Sequence, residues 1–479
     1  MTATVLPQMK KFLFLFVLVA VALKGVAAPF DIGEAVRKAE FWSSDPVMFV
    51  KNHTEEGFSF TSETREGADS RYYGAVAFFS LPAYETKVTF SDGGISRVEA
   101  ILFSSGGSET YEFGVDMQGR RFRRTVPIKK MLGRKEYFDL LENIRKNLSG
   151  SAKAPQVKTE RLKNNSGVVR TQVWPKTSMS TQASLAWSFR QDGQNKATFS
   201  PGFIRVTIDG PRKVEGQKKL RGAKVSKSAK HISANVVKDP RGDVFIDNIP
   251  MVDQGQKGYC AAATAERVLK YYGVDIDEHE VAQAAGTTAE QGTSILAMKN
   301  AIESIGKKYR LATVVSYGDF DADVKERIEG LEDEVKDYNR MARKMRFPLI
   351  TEDVYITRTG SMITYSPSAA RGAMKVEVLK EMKVNGAQRS KYLKFLAEVR
   401  KQVSMGVPIF WGLELGIYPE SGSLQAGGGH MRLIIGFNEK KKEILYTDSW
   451  GAGHELKRMP SDWAFAVSRC VMYMKPAPR

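Results

Sequence analysis

Two cysteines in 479 residues leave this chain no covalent framework to fold around. Disulfide scaffolds and Cys-rich zinc sites need more thiols than that, so each domain must stand on a buried apolar core. The material for such cores is present, because 42% of residues are hydrophobic and 26% charged, ordinary globular values that exclude wholesale disorder. The length suits about three units of roughly 150 residues. A net charge of +18 raises the question of an anionic partner: nucleic acid, acidic polymer or membrane surface.

The first segment has the form of a secretory signal. Lys10 and Lys11 precede an apolar run from Phe12 to Leu23, and Val26-Ala27-Ala28 offers small residues for cleavage ahead of Pro29. The run would span only about 18 Å as a helix, short of a ~30 Å bilayer core. Residues 1–28 are therefore expected to be a signal peptide cleaved near Ala28, and the mature chain to be secreted, periplasmic or extracellular.

An α+β organisation is expected, with a β-rich N-terminal region. In 29–150 a helix near Asp45–His53 precedes strands, among them a hairpin of Glu85–Phe90 and Ile95–Phe103 around Asp92-Gly93-Gly94. The basic stretch 116–135 suggests a strand with a charged face. A helix at Lys135–Leu148 and strands at Thr181–Arg190 and Phe203–Ile208 follow, so 151–210 is expected to be a second β-rich unit, with a helix-then-strands order that hints at a repeat. Residues 211–245 are assigned to a linker, because Pro211–His231 holds eight Lys or Arg against Glu215 alone. From 246 to 479 the pattern changes to helices first (Ala261–Tyr272, Val281–Ala285, Ser294–Ile305, Val376–Lys383, Tyr392–Val403). Strands come last (Pro408–Leu415, Met431–Phe437, Ile444–Thr447, Ala464–Met474).

Cys260 stands immediately before the Ala-rich helix, where the helix dipole and unpaired N–H groups favour a thiolate. The alternative is a buried, inert cysteine. A nucleophilic thiol needs a base. His231 lies in the linker, His53 in the N-terminal region, and His279 sits in the acidic run Asp277-Glu278-His279-Glu280, where exposure is expected. His430 differs: Gly427-Gly428-Gly429 precedes it, which lets a substrate backbone approach without Cβ obstruction, and an apolar strand follows. Asp448, at the end of the next strand, could orient the imidazole and Trp450 could shield the pair. His454 is a weaker candidate base. Cys470 is expected in a core strand, with a Cys260–Cys470 disulfide as the rival reading.

Gln254, five intervening residues and Cys260 at a helix start, then Gly-Gly-His, then Asp448-Ser449-Trp450-Gly451, together resemble a papain-like cysteine peptidase. Gly258-Tyr259-Cys260-Ala261-Ala262 running to Tyr271-Tyr272-Gly273, with Gly292-Thr293-Ser294 and Gly406-Val407-Pro408-Ile409, is most similar to the bacteriocin-processing, double-glycine-peptidase-like family over residues 249–473. The resemblance implies Cys260 as nucleophile, His430 as general base, Asp448 as its orienter, and Gln254 with the Cys260 N–H as oxyanion donors, Gln256 being the alternative to Gln254. Gly258, Gly428, Gly429 and Trp450 would line the substrate. Residues 316–391 exceed the family pattern and would form a helical insertion serving as lid, specificity element or docking surface. No transporter segment accompanies the domain, which sets it apart from relatives fused to exporters.

The expected function is a secreted cysteine peptidase acting on peptides or proteins through an acyl-enzyme. The alternatives are a catalytically silent binding or adaptor module, and acyl transfer of the transglutaminase or cell-wall amidase type. No cofactor and no metal are expected, since no histidine has a partner at convergent ligand spacing. Residues 246–479 carry 33 basic and 30 acidic side chains, so the basicity belongs to the front half and linker. That argues against specific nucleic-acid binding and leaves an anionic surface or polymer as a partner for the N-terminal half.

Overall fold

The computed structural model describes residues 29–106, 108–115, 121–128, 132–149, 156–161, 168–174, 181–191, 199–211, 232–255, 258–287, 293–318, 324–360, 362–420 and 427–477. Residues 1–28, read from sequence as a signal peptide, His231 and the rest of the basic stretch at 212–231, and Gln256 lie outside the described residues.

In the front half, Glu85–Ser91 and Gly94–Ser104 form the expected hairpin, turned by Asp92 (φ 51°) and Gly93 (φ 72°) in the left-handed region. The hairpin sits in an antiparallel sheet of eight strands. Their order is Ser59–Phe60, Gly67–Ser70, Glu85–Ser91, Gly94–Ser104, Phe199–Asp209, Gln182–Gln191, Val168–Trp174, Gln156–Arg161. Residues 29–150 and 151–210 are thus not two bodies. Strand Phe199–Asp209 pairs with Gly94–Ser104, and Phe103, Leu141, Trp174, Leu185 and Ile204 share one core. The order is symmetric about that central pairing, and a helix precedes each set of four strands (Pro46–Asn52 and Arg134–Ser149), although among the described residues Val76–Phe78 and Leu81–Pro82 interrupt the first set alone. Helix Arg134–Ser149 buries Tyr137, Leu141, Ile144 and Leu148, a helical stripe, and the Tyr137 hydroxyl donates to the carbonyls of Ser188 (2.7 Å) and Phe203 (2.9 Å). Residues 108–115 and 121–128 form a separate hairpin, so the basic stretch does hold a strand.

In the back half, a second sheet runs Val236–Lys238, Asp243–Ile246, Gly428–Asn438, Ile409–Leu415, Ser468–Pro476, Leu311–Tyr317, with Glu443–Thr447 also pairing with Gly428–Asn438 and with Lys457–Pro460. Helices Cys260–Tyr271, Ile295–Lys308 and Arg389–Ser404 contribute Val268, Ile302 and Val399 to its core. Three boundaries differ from the sequence reading. Ile232 lies in this core, and the strands at 236–246 belong to this sheet, so the linker ends well before 245. Ala464–Val467 is helical, within Ser461–Val467, and the strand begins only at Ser468. Four consecutive buried apolar residues carry no period that separates helix from strand. The insertion begins after strand Leu311–Tyr317 and is not wholly helical, because Ile356–Thr359 and Met362–Tyr365 form a hairpin. It has its own core of Leu331, Val335, Tyr338, Val378 and Met382, and Lys383 anchors it by donating to the carbonyls of Ala466 (2.8 Å) and Ser468 (3.1 Å).

The two halves meet through paired charges. Lys87, Arg97 and Arg205 of the first sheet face Glu278 (3.2 Å), Asp275 (3.2 Å) and Glu280 (2.7 Å), with Asp277 beside Arg205 (3.3 Å). His279 lies within this contact and is buried, contrary to the exposure expected from its acidic neighbours. Those neighbours are matched by cations from the other half of the chain.

Candidate active site

Cys260 opens helix Cys260–Tyr271, a segment whose alanines favour helix and whose Ala262, Ala265, Val268 and Leu269 pack into the core. Thr264 Oγ1 donates to the Met431 carbonyl (3.3 Å), which pins this helix against the strand bearing His430. That strand, Gly428–Asn438, sets His430 opposite Leu413. His430 Nε2 meets Asp448 Oδ1 at 2.7 Å, and the Trp450 ring stacks on the imidazole with centroids 4.6 Å apart. Nδ1 has no bond of ordinary hydrogen-bond geometry, and Cys260 lies near enough to influence the ring.

Electrostatics follow from this packing. Burial alone would lower the His430 pKa. The Asp448 charge, the Asp448 hydrogen bond and the neighbouring Cys260 outweigh it and raise the pKa to about 9. Burial pushes the Asp448 carboxyl upward, but the charges and hydrogen bonds of His430 and Arg432 hold it at about 2. The second Asp448 oxygen accepts from Arg432 Nε (2.6 Å), and Ser449 N–H donates to the first (2.8 Å). Arg432 in turn forks onto Glu420 (2.8 and 2.7 Å) with its guanidinium over the Tyr446 ring. Arg267, from the helix that Cys260 opens, donates to the carbonyls of Asp448 (2.7 Å) and Pro250 (2.8 Å) and to Thr447 Oγ1 (2.6 Å). Asp448 is thus fixed by side chain and backbone alike.

Gln254 is buried, with its N–H on the Ser449 carbonyl (2.8 Å). Ser449 Oγ donates to Gln254 Oε1 (2.7 Å), which makes the other end of the amide the donor end. Gly258 is half-buried beside Cys260. Gly428 has φ 100°, and a Cβ on Gly429 would meet nothing within 4 Å, so this strand edge faces open space. His454 does not share the Asp448 carboxylate; its ring lies edge-on to Trp450 and its carbonyl accepts from Asp448 N–H (3.0 Å). His53 packs against Phe30 and Phe49 in the front half. Cys470 is a buried core residue, its thiol pushed up to about 12 by burial, and both cysteines are free, so the rival disulfide is absent.

Sequence reasoning missed Arg432, Glu420 and Arg267. Arg432 was open to it, since residues two apart on a strand share a face and His430 is already a candidate. It also missed that Glu85, Glu278 and His279 come together, buried, with potential ligand atoms within 4.8 Å of one another. Glu85 and His279 belong to different halves of the chain, so no local spacing announces the cluster, and Lys87 already pairs with Glu278 there.

A thiol at a helix N-terminus, set against an imidazole and carboxylate on an antiparallel sheet, is the layout of a papain-like cysteine peptidase. Residues 248–320 match the model of the Peptidase C39 family and residues 333–470 that of the Peptidase_C39 like family. The C-terminal half is therefore a C39-type cysteine peptidase domain, preceded by a β-rich N-terminal region. The second match runs through much of the segment read from sequence as an insertion. Xylellain, a cysteine protease from Xylella fastidiosa, is a similar solved structure at 13% identity, covering 55% of this chain and 94% of that one with a TM-score of 0.23. No curated protein matches the sequence.

Proposed function

We propose that this protein is a secreted peptidase that cleaves peptide bonds through a Cys260–His430–Asp448 triad and an acyl-enzyme. The observation that carries the reading is the 2.7 Å contact of His430 with Asp448, with Cys260 near enough to the imidazole to help raise its pKa. Cys260 Sγ attacks the scissile carbonyl as thiolate, forming the C–S bond as the carbonyl π electrons move to oxygen. The Gln254 amide and the Cys260 N–H receive that oxyanion, each such donor being worth roughly 3 kcal/mol of barrier. His430 protonates the leaving amine as the C–N bond breaks. It then takes a proton from water, whose oxygen attacks the thioester and releases the acid and the thiolate. Gly258, Gly428, Gly429 and Trp450 flank the substrate. Secretion rests on the signal-like sequence of residues 1–28; among the described residues no helix is long and apolar enough to cross a membrane.

The test is cleavage of a mixed peptide library, under reducing conditions, by the mature chain and by Cys260→Ala. Loss of cleavage in the variant is expected; equal cleavage by the two would refute the proposal.

A further inference from the structure

The front half reaches three segments that flank the site. Arg71, at the end of strand Gly67–Ser70, extends into the loop carrying Gln254: Nη2 donates to the Asp253 carbonyl and Nη1 to Asp253 Oδ1 (3.3 Å). The same Oδ1 accepts the Gly255 N–H (2.9 Å), so one guanidinium fixes the backbone on both sides of Gln254. Asp69 holds Arg71 from behind through its Nε (3.1 Å). Gly255 matches this clamp in two ways: its φ of 63° suits glycine, and a Cβ there would sit 2.3 Å from Arg71 Nη1. Tyr259, directly before Cys260, is buried against the front half, where a Cβ on Gly106 would lie 2.4 Å from its hydroxyl. Beyond Trp450, Glu63 N–H donates to Glu455 Oε1 (2.8 Å).

We infer that the N-terminal domain is a working part of the peptidase, and that Arg71 is a positioning residue which holds Gln254 in place to receive the oxyanion. This rests on the peptidase reading above and extends it. An inhibitory module would block the cleft and be removed for activity. Here Arg71 engages the backbone of the loop that carries Gln254, and Glu63 meets Glu455 beyond Trp450. The domain must then stay docked for full activity, whatever happens to the linker.

Physical reasoning sets the form of the effect. Gln254 is held from one side by Ser449 and from the other by the clamp on Asp253 and Gly255. Loss of the clamp loosens a donor that acts only when the oxyanion forms, so the penalty falls on the chemical step and not on ground-state binding. It cannot exceed the penalty for deleting the donor itself.

The experiment uses the full mature chain and four variants: Arg71→Ala, Arg71→Lys, Gln254→Ala and the double variant Arg71→Ala/Gln254→Ala. Arg71→Ala is expected to lower kcat about tenfold with KM little changed, within the hundredfold or greater loss typical of removing an oxyanion donor. Arg71→Lys should restore part of it. In the Gln254→Ala background, Arg71→Ala should add almost nothing, because the two act through one donor. Additive losses, or an unaltered kcat in Arg71→Ala, would overturn the inference while leaving Cys260-dependent cleavage, and so the peptidase reading, intact. Hydrogen exchange on the same proteins reads the clamp without activity. Amides of the 252–259 segment should exchange faster in Arg71→Ala than in the parent, and unchanged exchange there would overturn the inference even if no substrate is cleaved.

Discussion

Asp448→Asn is the most discriminating change at the proposed triad. The Asp448 carboxylate accepts from three donors at once: His430 Nε2, Arg432 Nε and the Ser449 N–H. An asparagine has one acceptor oxygen, so it cannot serve imidazole and guanidinium together, and it removes the charge that holds the imidazolium. His430 stands at about 9 against an ordinary 6.5, although burial pulls it down. Without the Asp448 charge, burial dominates and the pKa should fall to 6.5 or below. That is a drop of at least about two and a half units, or about 3 kcal/mol at this buried site. At pH 7 His430 passes from almost fully protonated to about a quarter protonated or less. The assay is kcat/KM against pH, with the pH dependence of Cys260 alkylation beside it. The parent should lose activity as pH rises through about 9, where His430 gives up the proton it owes the leaving amine. In Asp448→Asn that alkaline limb should move to 6.5 or lower. A limb that stays near 9 in the variant would refute the claim that Asp448 holds the imidazolium.

The same shifts make a stability statement of definite sign. The folded-state pKa of His430 is raised, so its contribution is fully present below 6.5 and is lost as pH rises from there through about 9. The Asp448 pKa is lowered, so the pair also weakens as pH falls from 3.8 through about 2. Stability from this pair is greatest between about pH 4 and 6.5, and denaturant midpoints across pH should lose that plateau in Asp448→Asn.

Other outcomes follow from the same contacts. Gly255→Ala meets both a left-handed φ and Arg71 and should lower kcat about as much as losing the clamp, roughly tenfold; a full-rate variant would mean that the loop tolerates displacement. Cys470→Ala removes a thiol from the core, far from reach of alkylating agents, and should leave kcat unchanged while costing about 1 kcal/mol in a denaturant melt. Arg205→Ala removes the nearer cation of Asp277, whose other partner Lys87 stands at 3.8 Å, and the cation 2.7 Å from Glu280, and should cost about 3 kcal/mol of stability, read by chemical denaturation, since breaking a buried pair leaves the opposite charges less well compensated.

The core of the candidate site was legible because each member carries its own local mark. Cys260 has the Ala-rich helix behind it, His430 the glycines before it, Asp448 and Trp450 a strand end, and Gln254 a fixed distance to the thiol. Arg432 was legible in principle through strand alternation. Arg71 was not: 182 residues separate it from Asp253, and nothing near Arg71 marks it as different from the other basic residues of the front half. His279 was misread for a related reason. A run of acids looks solvated when its counter-charges lie in another part of the chain. The same holds for the division at residue 150, where a helix between strands suggested a boundary but the later strands return to pair with Gly94–Ser104.

That non-local matching also changes what the basic front half means. Lys87, Arg97 and Arg205 are directed at Asp275, Asp277, Glu278 and Glu280 and are largely buried by them. Pairs of this kind give up much of their Coulomb gain to desolvation, so they add less stability than their number suggests. What they do supply is selectivity of orientation, because any other docking pose would strand seven charges away from water. Orientation is what the site requires. Arg71 can bracket Gln254 only if the first sheet meets helix Glu278–Ala285 at this angle, with Tyr259 seated against Gly106. Lys87, Arg97 and Arg205 are thus matched within the chain, and an anionic surface or polymer would have to be met by basic residues outside this interface.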